Sequence, residues 1–345
     1  MHFMNDQSMI IQGLNMKIVT MAGGLGAQII KYMFFLDVKE KSEDQEVLID
    51  TSCFGYHDIW NGYELERLFG IKERDIWDEI CREEQAAWKI KGKYRERVLH
   101  YCYSVLCQNV CYYHKGHKHL WTEKKDLKYR EGKEKDSILL SYMWKAMWYI
   151  RFVLKRSEHM GDRYPSNYMK QSGITYFDDF NHISNKYLCK NRKLVKDILR
   201  FPAFEDERDK LVSSKMCTEG SVALHVRRSD HMYDNGSLFR RQYFKKAVAY
   251  MRENIEKPVF YIFSEDKDWC ANNITELGIQ EEDSYLLVDW NAGQDSYRDM
   301  QLMTYCKHNI LVMSSFSWCG YYLSIWDDKK VVAPNGWWLE VPIHM

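Results

Sequence analysis

The stretch 221–230, SVALHVRRSD, constrains this chain more than any other. Ser221, Val222, Ala223, Leu224 and Val226 make a short, mostly apolar run of the kind that forms a strand covered on both faces. The run ends in His225, Arg227, Arg228 and Asp230. Parallel α/β sheets present their ligands at the carboxyl ends of their strands. Two adjacent arginines placed there suit a doubly anionic group, because each guanidinium can hold two oxygens at once. Neighbours on a strand point to opposite faces, so one arginine of the pair is expected to meet the ligand directly. The competing reading is a structural arginine bridging two layers, but a buried positive pair is costly without an anion.

From 221 onward, apolar runs alternate regularly with helical spacing. Strands are expected at 221–227, 258–264, 284–288, 309–313 and 330–333. Helices are expected near 241–255, where Phe244, Val248, Met251 and Ile255 share a face, and near 267–277, 295–306 and 316–325. Such βα repetition argues for a Rossmann-like parallel sheet. Three strand ends then converge: the arginine pair, Ser264-Glu265-Asp266, and Ser314-Ser315-Phe316-Ser317. A serine-rich turn that opens a helix offers hydroxyls and N–H groups to a phosphate. A carboxylate such as Asp266 can pair with the two adjacent donors of a guanine edge. Serine caps and acidic first turns also stabilise helices that bind nothing, so the conjunction carries the reading.

The first half opens with a strand at 17–21, the turn Gly23-Gly24-Leu25-Gly26, a helix over 27–41 and a second strand at 47–50; residues 1–15 read as an extension outside the core. The turn lets backbone N–H groups approach a ligand, and Gly24, Gly26 and Gln28 are its candidate substrate contacts, although tight packing alone explains many such turns. Segment 57–71 reads as a loop and a short helix. Segment 88–160 is rich in Lys, Arg, Tyr and Trp, with Val98, Cys102, Val105 and Leu106, then Met143, Met147, Ile150 and Val153, at helical spacing. It is expected to be a helical insertion with basic faces. A linking helix is expected over 176–204, with Tyr187, Leu194 and Ile198 as its inner stripe. With 345 residues, 46% of them hydrophobic, the chain can build two cores. The expected domains are 16–200 and 201–345, with a ligand cleft between them.

Lysine plus arginine and aspartate plus glutamate stand at 49 each, which excludes a broad nucleic-acid footprint. Ten cysteines are scattered without a CxxC pair. They read as reduced thiols, although Cys102, Cys107 and Cys111 near His114, His117 and His119 invite a zinc site. The nearest approach to a spanning helix, 138–154, is broken by Lys145 and Arg151. The amino terminus shows no signal pattern. A cytoplasmic protein is the expectation, with peripheral association at the inner membrane face allowed.

Six segments carry a resemblance: GGLGAQ at 23–28, HDIWNGYELERLFGI at 57–71, HVRRSD at 225–230, FSED at 263–266, GQDSYRDMQLMTYCKHNILVMSSFSWCGYYLS at 293–324, and APNGWW at 333–338. Together they resemble the inverting α-1,2-fucosyltransferases of glycosyltransferase family 11. The resemblance implies an α/β chain of GT-B architecture, two facing Rossmann-like domains. GDP-fucose is then held by the carboxyl-terminal domain, and a galactose-terminated glycan acceptor is approached from the amino-terminal one. It implies no metal and no further cofactor. By the same resemblance Arg228 holds the diphosphate, His225 and Asp266 sit near the guanosine, and Ser315, Phe316 and Ser317 complete the phosphate pocket. Arg227 and Ser264 are further donor-side contacts. A diphosphate leaves without a proton at neutral pH, so fixed guanidinium and N–H donors can stabilise its growing charge. Inversion asks for a single displacement, and Asp230 is the candidate general base, with locking of an arginine as its alternative task.

Two departures stand out. Ala27 replaces the asparagine that follows GGLG in the family pattern, and Ser229 and His231 replace the residues of HVRRGDY. The first bears on acceptor positioning or rate and leaves the donor pocket intact. Two rival readings remain. Asp266 and Asp268 are spaced like the DxD pair of a metal-dependent glycosyltransferase, ranked lower because arginines already serve the diphosphate. The other is a nucleotide- or glycan-binding module with little turnover.

Overall fold

The computed structural model describes residues 15–42, 45–55, 60–84, 94–106, 108–114, 117–131, 164, 167–178, 185–228, 241–334 and 343–344. The expected extension therefore lies outside the described residues except for Asn15, which already hydrogen-bonds the sheet through Gly173 N–H at 2.8 Å and Glu46 N–H at 3.3 Å. The chain divides into two compact units, Met1–Val195 and Lys196–Met345.

In the first unit, β1 (Met16–Thr20) runs through a glycine turn into α1 (Leu25–Lys41) and β2 (Glu46–Asp50). Helices α2 (Glu64–Phe69), α3 (Ile76–Glu84) and α4 (Tyr94–Ser104) follow. Then come β3 (Val110–His114), β4 (His117–Trp121), α5 (Glu123–Arg130) and β5 (Ile174–Asp178). The strand order is β2-β1-β5-β3-β4, parallel throughout except for β3 against β4. Every residue of β1 and of β5 is buried, as required of strands covered on both faces. Ile76 and Ile80 of α3 and Val98 and Cys102 of α4 share a core with Ile18, Leu48, Ile174 and Tyr176.

Two expectations change here. The segment 88–160 is not wholly helical: it contributes α4 and α5, but VCYYH and HKHLW between them pair as strands. Tyr and Trp suit a pleated, half-covered surface, and the polar outer strand carries exposed Lys118 as edge strands commonly do. Its later part, 132–160, which includes 138–154, lies outside the described residues. The linking helix expected over 176–204 is also replaced. Tyr176 belongs to β5, and among the described residues of the span a short 3-10 turn (Asn185–Tyr187) and α6 (Arg192–Ile198) are helical, α6 burying Val195 while Leu194 stays 43% exposed. The apolar run Ile174–Phe177 is rich in β-branched and aromatic residues, and its pairing with β1 and β3 outweighs the helical spacing.

The second unit matches the expected alternation. After α7 (Glu207–Met216) come β6 (Ser221–Val226), α8 (Arg241–Asn254), β7 (Val259–Ser264), α9 (Lys267–Asn272) and β8 (Ser284–Val288). Helix α10 (Tyr297–Tyr305), β9 (His308–Ile310), α11 (Ser315–Tyr322), β10 (Val331–Ala333) and β11 (Ile343–His344) complete it. All six strands are parallel, in the order β8-β7-β6-β9-β10-β11. Counted from β6, that is the doubly wound order 3-2-1-4-5-6. Alternation along β6 explains its two covers. Val222, Leu224 and Val226 pack with Phe244, Val248 and Met251 of α8, whereas Ala223 joins Met216, Leu302 and Met303 on the opposite face. Among the described residues, no helix is long and apolar enough to cross a membrane.

Candidate active site

In a doubly wound sheet the chain leaves its first strand in two directions, and the crevice between the diverging connections is the ligand site. Here that switch point lies between β6 and β9. Strand β6 delivers His225, Arg227 and Arg228 to it, and β9 runs into the turn that opens α11. The two meet: the His225 ring, 4% exposed, lies 5.6 Å from the Phe316 ring and 30° from parallel with it.

Arg228 is half-buried and gripped from three sides. Its Nε lies 3.1 Å from Asp266 Oδ2, its guanidinium carbon 3.9 Å from the centre of the Trp269 ring, and its backbone N–H donates to the Glu265 carboxylate. The other Asp266 oxygen caps α9, accepting from Trp269 N–H at 3.2 Å, while the Asp266 N–H donates to Ser264 Oγ at 3.0 Å. A planar cation stacked on indole and paired with a carboxylate is pre-oriented rather than mobile. Asp266, expected to face a guanine edge, thus has one oxygen on the helix and one on Arg228. Trp269 was not singled out from the sequence, yet it stands three residues after the capping Asp266, the spacing that places side chains together on a helix. Arg227 is half-buried at the end of β6, and Ser264 is buried.

At the opening of α11 the serines divide their work. Ser314 Oγ accepts from Phe316 N–H at 3.3 Å as the cap. Ser315 and Phe316 are half-buried. Ser317 has no exposed surface, and its hydroxyl turns inward to the Ser314 carbonyl at 3.1 Å. That hydroxyl is thus satisfied within its own turn. Asp230, with Ser229 and His231, lies outside the described residues.

Behind α9 sits a buried polar chain that sequence reasoning missed. Lys267 donates to the Asn291 carbonyl, and the Asn291 amide donates to Asp299 Oδ1 at 2.9 Å. Asp209 accepts from the Trp290 indole N–H at 2.9 Å. Burial pushes the Asp299 carboxyl up to about 7, against the Asn291 bond and the Lys267 charge, with Asp209 adding to the rise.

The carboxyl edge of the first sheet has its own chemistry. Gly23 takes φ +88°, in the left-handed region, and the Ala27 methyl stands where a Gly23 side chain would come within 2.9 Å. Ala27 is half-buried on the surface of the turn. Gly26 is buried in the first turn of α1, and Gly24 is its cap. Gln28 is fully buried: its amide donates to the carbonyls of Gly23 at 2.8 Å and Gly62 at 2.9 Å, and accepts from Glu64 N–H at 2.9 Å. It therefore clamps the loop before α2 onto the glycine turn. Replacing Gln28 with leucine orphans two carbonyls and one N–H and is expected to cost about 2 kcal/mol of stability. Urea unfolding measures this, and a loss below about 0.5 kcal/mol would show that the clamp is dispensable.

Deeper on that edge, Tyr176 OH donates to Asp50 Oδ2 at 2.6 Å and accepts from Thr20 Oγ1 at 2.8 Å. Asp178 holds Arg95 Nη1 at 3.1 Å and His114 Nδ1 at 3.0 Å. Burial raises the Asp50 carboxyl above its ordinary range. Among the described residues, no group of three or more His, Cys, Asp or Glu is placed to hold a metal ion.

A parallel sheet in this order defines a doubly wound α/β unit, with an oriented guanidinium at the carboxyl end of its first strand. The chain belongs to glycosyl transferase family 11, whose model matches residues 137–338. It is 27% identical over 159 residues to an α-1,2-colitosyltransferase of Escherichia coli, covering 45% of this chain and 53% of that protein. It is 32% identical over 122 residues to the Escherichia coli O-antigen biosynthesis glycosyltransferase WbnK, covering 34% of this chain and 39% of that protein. These alignments span about half the length of the relatives or less. A crystal structure of NodZ α-1,6-fucosyltransferase soaked with GDP-fucose aligns at TM-score 0.44 and 12% identity, over 90% of this chain and 92% of that one.

Proposed function

We propose that this chain is an inverting galactoside α-1,2-fucosyltransferase, moving L-fucose from GDP-fucose to the 2-hydroxyl of a terminal galactose. The observation that carries the reading is Arg228, held by Asp266 and Trp269 at the switch point of the family-matched sheet. In this reading the second unit binds GDP-fucose and the first serves the acceptor. As the sugar departs with oxocarbenium character, charge builds on GDP, and a guanidinium already in place stabilises it without reorganisation. His225 and Phe316 form the wall of the nucleotide pocket, with Arg227, Ser264 and Ser315 beside it. Gln28, Asp266 and Ser317 position the turns that carry the direct contacts. Asp230 remains the proposed base that takes the acceptor proton.

Purified protein, GDP-fucose and a panel of galactose-terminated oligosaccharides test this, with product linkage determined by NMR. Fucose on another hydroxyl or on a protein serine overturns the specificity. Because one relative bears the name of a colitosyltransferase, a colitosyl donor belongs in the same panel. Absence of turnover with every donor, alongside GDP binding, favours a binding module. Exhaustive chelation is expected to leave the rate within about twofold. A collapse that Mn²⁺ or Mg²⁺ restores favours the pair Asp266 and Asp268, despite the guanidinium that already neutralises Asp266.

A further inference from the structure

Trp60 combines features that packing alone does not account for. Its backbone sits at φ +62°, a left-handed conformation that is a true outlier for a bulky residue. Its side chain stays 48% exposed. Residues kept in such conformations persist where the surroundings hold them, and they gather at ligand-binding positions. The surroundings do hold this one. The pyrrole edge of the indole lies over Gly24, where a side chain's first carbon would come within 3.3 Å of Trp60 Cδ1. Gln28 ties the following loop down on the far side, through the Gly62 carbonyl and the Glu64 N–H, while also holding the Gly23 carbonyl beneath. The turn is thus left without side chains so that a tryptophan can lie across it, and a buried amide locks the arrangement.

We propose that Trp60 is the stacking platform for the sugar ring of the acceptor, a specificity-determining contact. This rests on the transferase reading above. A galactose ring presents the C–H groups of carbons 3, 4 and 5 as one apolar face. A rigid, half-exposed indole offers a large flat apolar surface at little loss of conformational freedom. The donor's recognition falls to charge and hydrogen bonds at the switch point of the other unit, so the sugar matched to Trp60 is the acceptor's.

Steady-state kinetics on Trp60→Ala, Trp60→Phe and Trp60→Gly test the assignment. Trp60→Ala is expected to raise the KM for a galactose-terminated oligosaccharide at least tenfold and to leave the KM for GDP-fucose within twofold. Trp60→Phe retains a ring and is expected to recover to within about threefold of the parent. Trp60→Gly relieves the backbone, so its melting temperature is expected to equal or exceed that of Trp60→Ala while its acceptor KM stays high. An acceptor KM within twofold of the parent in Trp60→Ala overturns the proposal. Binding without turnover supplies the independent readout. The protein labelled with 5-fluorotryptophan is titrated with lactose in the absence of donor, and the Trp60 resonance is assigned by its loss in Trp60→Phe. A saturable shift of that resonance supports the platform, and no shift at saturating lactose overturns it. If no GDP-sugar is turned over the transferase reading fails, whereas this titration still judges Trp60.

Discussion

Replacing Arg228 with alanine is expected to lower kcat/KM for GDP-fucose by about 10²–10³-fold, the loss that follows removal of one preorganised charge-stabilising donor. The fold should survive. Arg228 pairs with Asp266 at a half-exposed site, where such a bridge contributes about 0–1 kcal/mol, and its stacking on Trp269 adds a similar amount. Arg228→Lys is expected to recover little. A lysine ammonium is a point charge that can neither stack flat on the indole nor present two parallel N–H groups to a diphosphate. The loss should fall mainly on kcat if the guanidinium meets the leaving group more strongly in the transition state than in the ground state. Circular dichroism and melting on the same samples separate catalysis from folding. A folded Arg228→Ala protein with near-normal turnover would remove the central residue from the proposed mechanism.

The second large effect is on stability and depends on pH. Burial raises the Asp299 carboxyl from 3.8 to about 7. The folded state therefore holds a proton that the unfolded chain gives up at lower pH. The contribution is fully present below about 4, falls as pH rises through the window up to about 7, and is then lost. A shift of about three units corresponds to an upper bound on the order of 4 kcal/mol. Asparagine at 299 retains an oxygen for the Asn291 amide and removes the ionisation. Asp299→Asn is thus expected to gain about 1–2.5 kcal/mol over the parent at pH 8, measured relative to their difference at pH 5, where part of the penalty is already present. Buried Asp50 and Asp75 titrate with the same sign in both proteins, so only the difference between the two isolates Asp299. Denaturant melts at both pH values report it, and parallel pH dependences would show that Asp299 is ionised in the fold throughout.

Local sequence was enough for much of the second unit. The runs 221–226 and 259–264 are apolar enough to lie in a doubly covered sheet, 284–288 closes its exposed edge, and the stripe Phe244, Val248, Met251 marks the helix that covers one face. The meeting of His225 with Phe316, and of Arg228 with Asp266, followed from a general rule about strand ends, because the rule needs only chain direction. The pairing of Asp266 with Trp269 and the cap on α9 were readable in principle, since a helix brings positions three apart together.

Non-local competition decided the rest. The segments holding Tyr112 and Tyr176 lie in stretches read as helical, yet β5 pairs with β1 and β3 pairs with β5, so partners distant in sequence make them strands. The direction of a polar head group is equally non-local. Gln28 follows a ligand-like glycine turn, yet its amide answers carbonyls and an N–H up to 36 residues away. Ser317 turns inward for the same reason: a buried hydroxyl must find a partner within its own surroundings. Neighbours in sequence settle strand or helix where pattern and composition agree, as in the second unit, whereas which polar atoms remain available for a ligand depends on what the completed fold has left unsatisfied, and that is settled only when distant segments meet.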